Sequence, residues 1–126
     1  MGNHLTINLS NEEKEAVIKH VLIWQQTNRL KSTRSYKDKI PKSVIEIVIK
    51  LITRINTLEN DPKEKKKMFF EHIEMLPKKE LVTNTNTRAD LRHLINLIQI
   101  DQKLKGFSYE QLFLFTHWLL RIAKQD

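Results

Sequence analysis

The segment from Ser43 to Leu58 limits the fold of this chain more than any other stretch. It is rich in β-branched residues, which favour strands. Its polar residues nevertheless recur at steps of three and four, namely Ser43, Glu46, Lys50, Thr53 and Thr57. The opposite stripe is apolar and consists of Val44, Val48, Leu51, Ile55 and Leu58. Because a strand would alternate by two, the pattern predicts an amphipathic helix. Pro41 suits its first turn.

Helix-start signals divide the rest of the chain. A capping box, in which two residues three positions apart satisfy each other's free backbone N–H groups, is predicted at three sites: Ser10, Thr87 and Ser108. Asp61, followed by a proline, predicts a further start. Pro77 and Gly106 are predicted stops, and the first helix is expected to run to about Arg29 or Lys31. The helix after Ser108 is apolar nearly all round, which is typical of a central or interfacial helix.

The amino terminus differs from the helical segments. Leu5, Ile7 and Leu9 alternate with polar residues, which predicts a short extended arm. No partner strand is visible in the sequence, so the arm is expected to lie against the helices or pair with a neighbouring chain. The predicted fold is all-α: a single-domain helical bundle of about five helices, covering residues 1–126, with this arm at its start.

Composition excludes several functional classes. The chain has no cysteine, which excludes disulfides and thiolate sites, and its two glycines are too few for a glycine-rich phosphate loop. No two of its five histidines are spaced to form a metal-binding face on one helix. No run approaches the roughly 18 apolar residues that span a bilayer. We therefore predict a cytoplasmic protein with no cofactor, no metal and no membrane partner.

Basic residues are the strongest functional signal. The chain has 22 Lys+Arg against 15 Asp+Glu, a formal net charge of +7, which favours a polyanionic partner such as nucleic acid. Six of them surround the predicted first connection: Arg29, Lys31, Arg34, Lys37, Lys39 and Lys42. Lys50 and Arg54 continue the cluster along the second helix, and Tyr36 is placed to stack on a base. Arg88 and Arg92 are expected to join if the fourth helix packs beside the second.

Other basic residues are interpreted differently. The run from Lys63 to Lys67 has no aromatic neighbour on its polar side, so it is predicted to be a solvated helix face. The positive charge as a whole has an alternative interpretation, in which it serves solubility and the chain is an adaptor that binds only protein. Gel shifts with unrelated DNA and RNA sequences separate that adaptor from a nucleic-acid-binding protein.

The sharpest catalytic candidate lies in the stretch RADLRH, where Arg88 is followed after four residues by His93. This spacing near a helix start resembles the motif of HEPN-type ribonucleases, which are also small helical bundles. The resemblance implies that His93 acts as general acid or base on the ribose 2′-hydroxyl while Arg88 stabilises the phosphate. Ala89 departs from the family, which usually has a polar residue there. The chain is predicted to be non-catalytic, with metal-independent RNA cleavage as the alternative.

The last predicted helix, SYEQLFLFTHWLLRIAKQD, ends in a Trp-Leu-x-Arg pattern. That ending, on a small, basic, all-helical chain, resembles the small subunit of class 1 CRISPR interference complexes, type I-D among them. The resemblance implies a helical bundle without an active site that stacks within a ribonucleoprotein. It implies contact with single-stranded DNA or RNA through the backbone, without sequence specificity, and contact with neighbouring protein subunits.

Overall fold

The described residues form helices throughout and contain no β-strand. The structure is a computed structural model, and it describes residues 9–26, 41–78 and 84–124. Its helices are α1 (Asn11–Gln26), α2 (Lys42–Leu58), α3 (Pro62–His72), α4 (Thr85–Ile100), α5 (Gln102–Gly106) and α6 (Tyr109–Lys124). A 3₁₀ turn, Ile73–Met75, follows α3 directly. The prediction of an all-α bundle is confirmed. The predicted amino-terminal arm, apart from Leu9, and the predicted end of α1 lie outside the described residues.

The capping predictions hold at three of the four starts. Before α1, the Ser10 hydroxyl accepts from the Glu13 N–H at 3.1 Å, and the Glu13 carboxylate accepts from the Ser10 N–H at 2.9 Å. Ser108 and Gln111 exchange the same pair of bonds before α6, at 3.1 and 2.9 Å. Asp61 caps α3 by accepting from a backbone N–H two residues later. These bonds satisfy amide groups that a helix start otherwise leaves free.

The start of α4 was predicted wrongly. Asn84 caps the helix, because its side-chain oxygen accepts from the Thr87 N–H at 3.0 Å. Thr87 therefore lies within the first turn and is not itself the cap. Asp90, which would complete a box with Thr87, is buried instead. Asn ranks at least as high as Thr at a cap, so the earlier residue starts the helix.

The end of α4 also differs from the prediction. One helix was expected to continue to Gly106, but α4 ends at Ile100 and Asp101 starts the short α5. The Asp101 carboxylate accepts from the Leu104 N–H at 3.0 Å, which caps the new helix. Lys103 therefore lies on α5. In α3, the α-helix ends at His72 and the 3₁₀ turn carries the chain on to Met75, just before the predicted stop at Pro77.

The last helix lies at the centre of the bundle. α6 packs against α1, α2 and α3, and α2 also contacts α3 and α4. The buried stripe of α6 consists of Leu112, Phe115, Leu119 and Ile122, and that of α4 consists of Leu91, Leu94, Ile95 and Ile98. Four large residues fill the middle of the core with almost no exposed surface: Trp24, Phe69, Tyr109 and Phe115. The helix after Ser108, predicted to be central or interfacial, therefore lies centrally among the described helices.

The buried side of α2 is rotated from its predicted position. Leu51 is only half-buried, and Leu58 is 63% exposed. Ile45 and Ile52, which were not assigned to the stripe, are buried instead. The difference arises because α2 contacts α3, α4 and α6, so neighbours cover a wider and shifted arc of its surface. Leu58 is the last residue of α2 and remains uncovered.

Candidate nucleic-acid interface

The predicted basic cluster is only partly within the described residues. Six of its members lie outside them: Arg29, Lys31, Arg34, Tyr36, Lys37 and Lys39. The structure places Lys42, Lys50 and Arg54 on α2, and Arg88 and Arg92 on α4. The α2 residues and Arg92 are exposed, whereas Arg88 is half-buried.

The exposed side of α2 carries three cations within an arc of about 120° around the helix. Lys42, Lys50 and Arg54 are spaced by eight and four residues, so they follow one side of the helix over roughly 18 Å, at about 1.5 Å per residue. They lie about 120–160° around the helix from Val48, which is buried against the rest of the bundle. Glu46 lies between Lys42 and Lys50 on the same side, and it is the single acidic residue of α2. We refer to these cations as the α2 basic face.

A depression of about 670 Å³ runs beside the α2 basic face. Lys50 and Arg54 form part of its wall together with two threonines, Thr53 and Thr57. Apolar residues complete it: Ile47, Ile49, Leu51 and Leu76. Cations beside apolar residues are complementary to a nucleic-acid strand. The phosphates of the strand bind cations, and its bases and sugars present apolar surface.

The cations of this face have no acidic partner. In the part of the chain that the structure describes, the single ion pair joins His20 to Asp101. No described lysine or arginine side chain, including Lys50 and Arg54, lies at ion-pairing distance from a carboxylate. Their charge is therefore not neutralised within the described structure, and it is available to a bound anion.

A second basic surface was not predicted from the sequence. α3 and α4 both contact α2. Two neighbouring depressions, of about 300 and 410 Å³, are lined on one side by α3 and the residues that follow it, and on the other side by α4 and α5. We call them together the α3–α4 groove. Its polar lining consists of Lys66, Glu74, Lys78, Arg92, Asn96, Gln99 and Lys105. Arg92 thus lies with Lys78 and Glu74, not with Arg54 in the depression beside α2.

The lysine run at the start of α3 divides into different environments. Its prediction as a solvated face is wrong for Lys65, which is buried. The Lys65 ammonium donates to the Asn56 side chain at 2.7 Å and lies 5.2 Å from the centre of the Tyr109 ring. Lys66 lines the α3–α4 groove. The spacing of Lys66, Phe70 and Glu74, four residues apart, is the signal in the sequence that marks this wall.

A buried polar network joins α1 to the break between α4 and α5. One oxygen of Asp101 accepts from the His20 Nε2–H at 2.8 Å and from the Trp24 indole N–H at 2.7 Å. Burial by itself raises the pKa of Asp101, but hydrogen bonds from Trp24, the Leu104 N–H and His20, with the charge of His20, outweigh it. The pKa of Asp101 therefore lies below its ordinary value. These groups are committed to holding the fold together.

Tyr109 forms the corresponding link between α6 and α2. Its hydroxyl donates to the backbone carbonyl of Ile52, in the buried part of α2. Burial raises the pKa of Tyr109 above its ordinary value, and the nearby charge of Glu110 adds to the effect. The phenol therefore stays neutral and serves as a structural donor.

The candidate ribonuclease pair lies on α4. Arg88 and His93 are both half-buried, and no hydrogen bond joins their side chains in the described structure. Residues five apart on a helix point in directions that differ by roughly 140°. The side chains of Arg88 and His93 therefore point in different directions, so they reach a shared phosphate from different sides.

Neither a metal cluster nor a membrane-spanning helix is found in the described ranges. No three side chains of His, Cys, Asp or Glu gather there in a way that holds a metal ion. None of the described helices combines the length and the apolar character needed to cross a bilayer. Comparisons of the chain with protein-family models, curated proteins and solved structures found no match.

Proposed function

We propose that this chain is a non-catalytic helical subunit that binds the backbone of nucleic acid without reading its sequence, inside a larger ribonucleoprotein. The observation that carries the proposal is the α2 basic face. Lys42, Lys50 and Arg54 are exposed along one side of a helix, and none has a carboxylate partner among the described residues. The net charge of +7 supports the same class of ligand.

Exposed lysines and arginines bind phosphates through charge, and the counterions released from the nucleic acid supply much of the affinity. Contacts with phosphates position a protein on nucleic acid but carry no direct information about base sequence. In this proposal the basic residues between Arg29 and Lys42 extend the α2 basic face, and Tyr36 stacks on a base. Arg88 and Arg92 contribute from α4.

The protein partner belongs on the outer side of α6. Phe113, Leu114 and Leu120 are half-buried and leave apolar surface on the most central helix of the bundle. A helix that is apolar nearly all round and still partly exposed is suited to a second protein surface. Together with the basic faces, this supports the role implied by the resemblance to the small subunit of class 1 CRISPR interference complexes.

The salt dependence of binding tests this proposal. Fluorescence anisotropy would measure the affinity of the chain for labelled single-stranded DNA and RNA of unrelated sequences at several salt concentrations. If about six phosphates are neutralised, log affinity falls against log salt with a slope of about −4. Similar affinities for unrelated sequences are expected. A flat salt response would refute the proposal.

Paired variants connect that slope to the α2 basic face. Changing Lys50→Ala and Arg54→Ala together removes two phosphate contacts, so the slope is expected to become shallower by about 1.4. Lys14→Ala with Lys19→Ala is the matched control, because it removes two exposed lysines of α1. Equal effects of the two pairs would show that only net charge matters and that the α2 basic face is not a site.

A further inference from the structure

The α3–α4 groove is lined by residues from both of its sides. Lys66 and Phe70 of α3 and Glu74 of the 3₁₀ turn that follows it lie four residues apart along one wall. On α4, Arg92 and Gln99 lie about 10 Å apart on the facing wall. Gln99 lines both depressions, so they adjoin at that residue.

Charge is concentrated at the two ends of the groove. Lys78 and Arg92 line one depression, and Lys66 and Lys105 line the other. Glu74 is the single acid among these lining residues, and none of the four cations is paired with a carboxylate in the described structure. The groove therefore carries an excess of three positive charges, which favours a ligand with anionic groups at more than one point.

One of these lysines is held in place by the backbone. The Lys66 ammonium donates to the Lys105 carbonyl at 2.6 Å, which joins α3 to α5 across the groove. An ammonium group has three donors, so two remain for an anion. The bond fixes the charge beside Lys105 and reduces the side-chain entropy that binding would otherwise cost.

An aromatic ring lies between the charges. Phe70 is half-buried and lines the same depression as Lys66, Lys105 and Gln99. The ring of Phe69 supports it from below, with 5.4 Å between ring centres and planes 74° apart. A braced aromatic ring beside cations is the arrangement on which single-stranded bases stack, at about 1–3 kcal/mol per base by alanine substitution. The Gln99 amide is placed to hydrogen-bond the edge of such a base.

We infer that the α3–α4 groove is a second nucleic-acid site, which holds one single strand. Phosphates bind at Lys78 and Arg92 at one end and at Lys66 and Lys105 at the other, and a base stacks on Phe70 between them. This inference rests on the proposed function for its class of ligand, but it uses a surface other than the α2 basic face. Leu76 lines the depression beside α2 and the next residue, Pro77, lines the groove, so the two surfaces lie close together.

Neutralising variants test the groove without disturbing the core. Arg92→Gln with Lys105→Gln removes two charges whose side chains are exposed and make no hydrogen bond in the described structure. Loss of two phosphate contacts is expected to weaken single-strand binding by about 10- to 30-fold at roughly 0.1 M salt. Circular dichroism and urea unfolding would confirm that the variant folds as the unmodified chain does.

A photocrosslink tests the position of the base. An oligonucleotide of about 12 nucleotides with one iodouridine would be irradiated with the unmodified chain, and the modified peptide identified by mass spectrometry. Crosslinks are expected on Phe70. They should be lost in the variant Phe70→Leu, which keeps an apolar side chain at that position.

The outcomes of these experiments distinguish failure of the groove inference from failure of the proposed function. Weaker binding by the groove variant together with a crosslink at Phe70 supports the inference. Weaker binding by the Lys50/Arg54 variant alone, with the groove variant unchanged, overturns the inference and leaves the proposed function standing. Absence of salt-dependent binding by the unmodified chain overturns both. Equal affinity for a duplex, or for polyglutamate, would overturn the assignment of the groove to a single strand.

Discussion

Replacing Asp101 with alanine should destabilise this fold strongly, although the residue lies in a connection between two helices. The residue is 4% exposed, and among the described residues its side chain accepts hydrogen bonds from His20, Trp24 and the Leu104 N–H. Loss of a helix cap costs about 1 kcal/mol. A buried donor that loses its acceptor costs about 1–3 kcal/mol, and two such donors are affected. We expect Asp101→Ala to lower the free energy of unfolding by about 3–7 kcal/mol.

Two further variants separate the stability that Asp101 contributes as a helix cap from the stability that its hydrogen bonds to His20 and Trp24 contribute. Asp61→Ala removes an exposed cap with a single bond to the Lys63 N–H at 3.3 Å, so about 0.5–1 kcal/mol is expected. Asp101→Asn keeps a good cap but places an amide N–H₂ beside the two ring donors, so about 2–3 kcal/mol is expected.

Urea unfolding followed by circular dichroism, near pH 7, would measure all three free energies. Equal slopes with denaturant would confirm that the variants unfold from the same compact state. If Asp101→Ala and Asp61→Ala lowered the free energy of unfolding by the same amount, Asp101 would act only as a cap. The conclusion that its bonds to His20 and Trp24 stabilise the fold would then be refuted.

Three other outcomes are expected. Folding lowers the pKa of Asp101, so the ionised carboxylate stabilises the fold fully above the unfolded pKa of about 3.9. This stabilisation is lost as pH falls through the folded pKa. The difference in free energy of unfolding between the unmodified chain and Asp101→Asn, measured with urea, should therefore shrink below about pH 4. Because burial raises the pKa of Tyr109, ultraviolet titration compared with Tyr109→Phe should show that this phenol ionises above its ordinary value of about 10, with stability falling as pH rises through that range. Phe115→Ala should cost about 3–5 kcal/mol in urea unfolding, whereas Phe113→Ala, on the half-exposed side of α6, should cost clearly less.

Local signals along the chain predicted the helices well. The boxes at Ser10 and Ser108 and the cap at Asp61 depend on residues within three positions, so neighbouring sequence contains all the information they need. The break at Asp101 could not be predicted in this way, because its partners His20 and Trp24 lie 81 and 77 positions away along the chain.

The candidate sites also include one feature that neighbouring residues determine and one that depends on residues distant in sequence. The exposure of Lys50 and Arg54 was predictable from helical spacing within α2 alone. The α3–α4 groove was not, because it exists only once α3 and α4 lie side by side on α2. No pattern within a single helix brings Lys66 close to Lys105, and only their contact distinguishes Lys66 from the other lysines around it.

The central position of α6 has a consequence for how this protein is made. The ribosome completes α6 after the other five helices of the described residues, yet α1, α2 and α3 all pack on it. Until α6 emerges, the apolar sides of those helices have no common partner, and exposed apolar surface of this kind is a target for chaperones and aggregation. Final closure also joins α6 to α1, which lies near the other end of the described chain, and contacts so distant in sequence slow folding. Synthesis that stalls before Tyr109 should therefore yield an unfinished core, which proteases would remove.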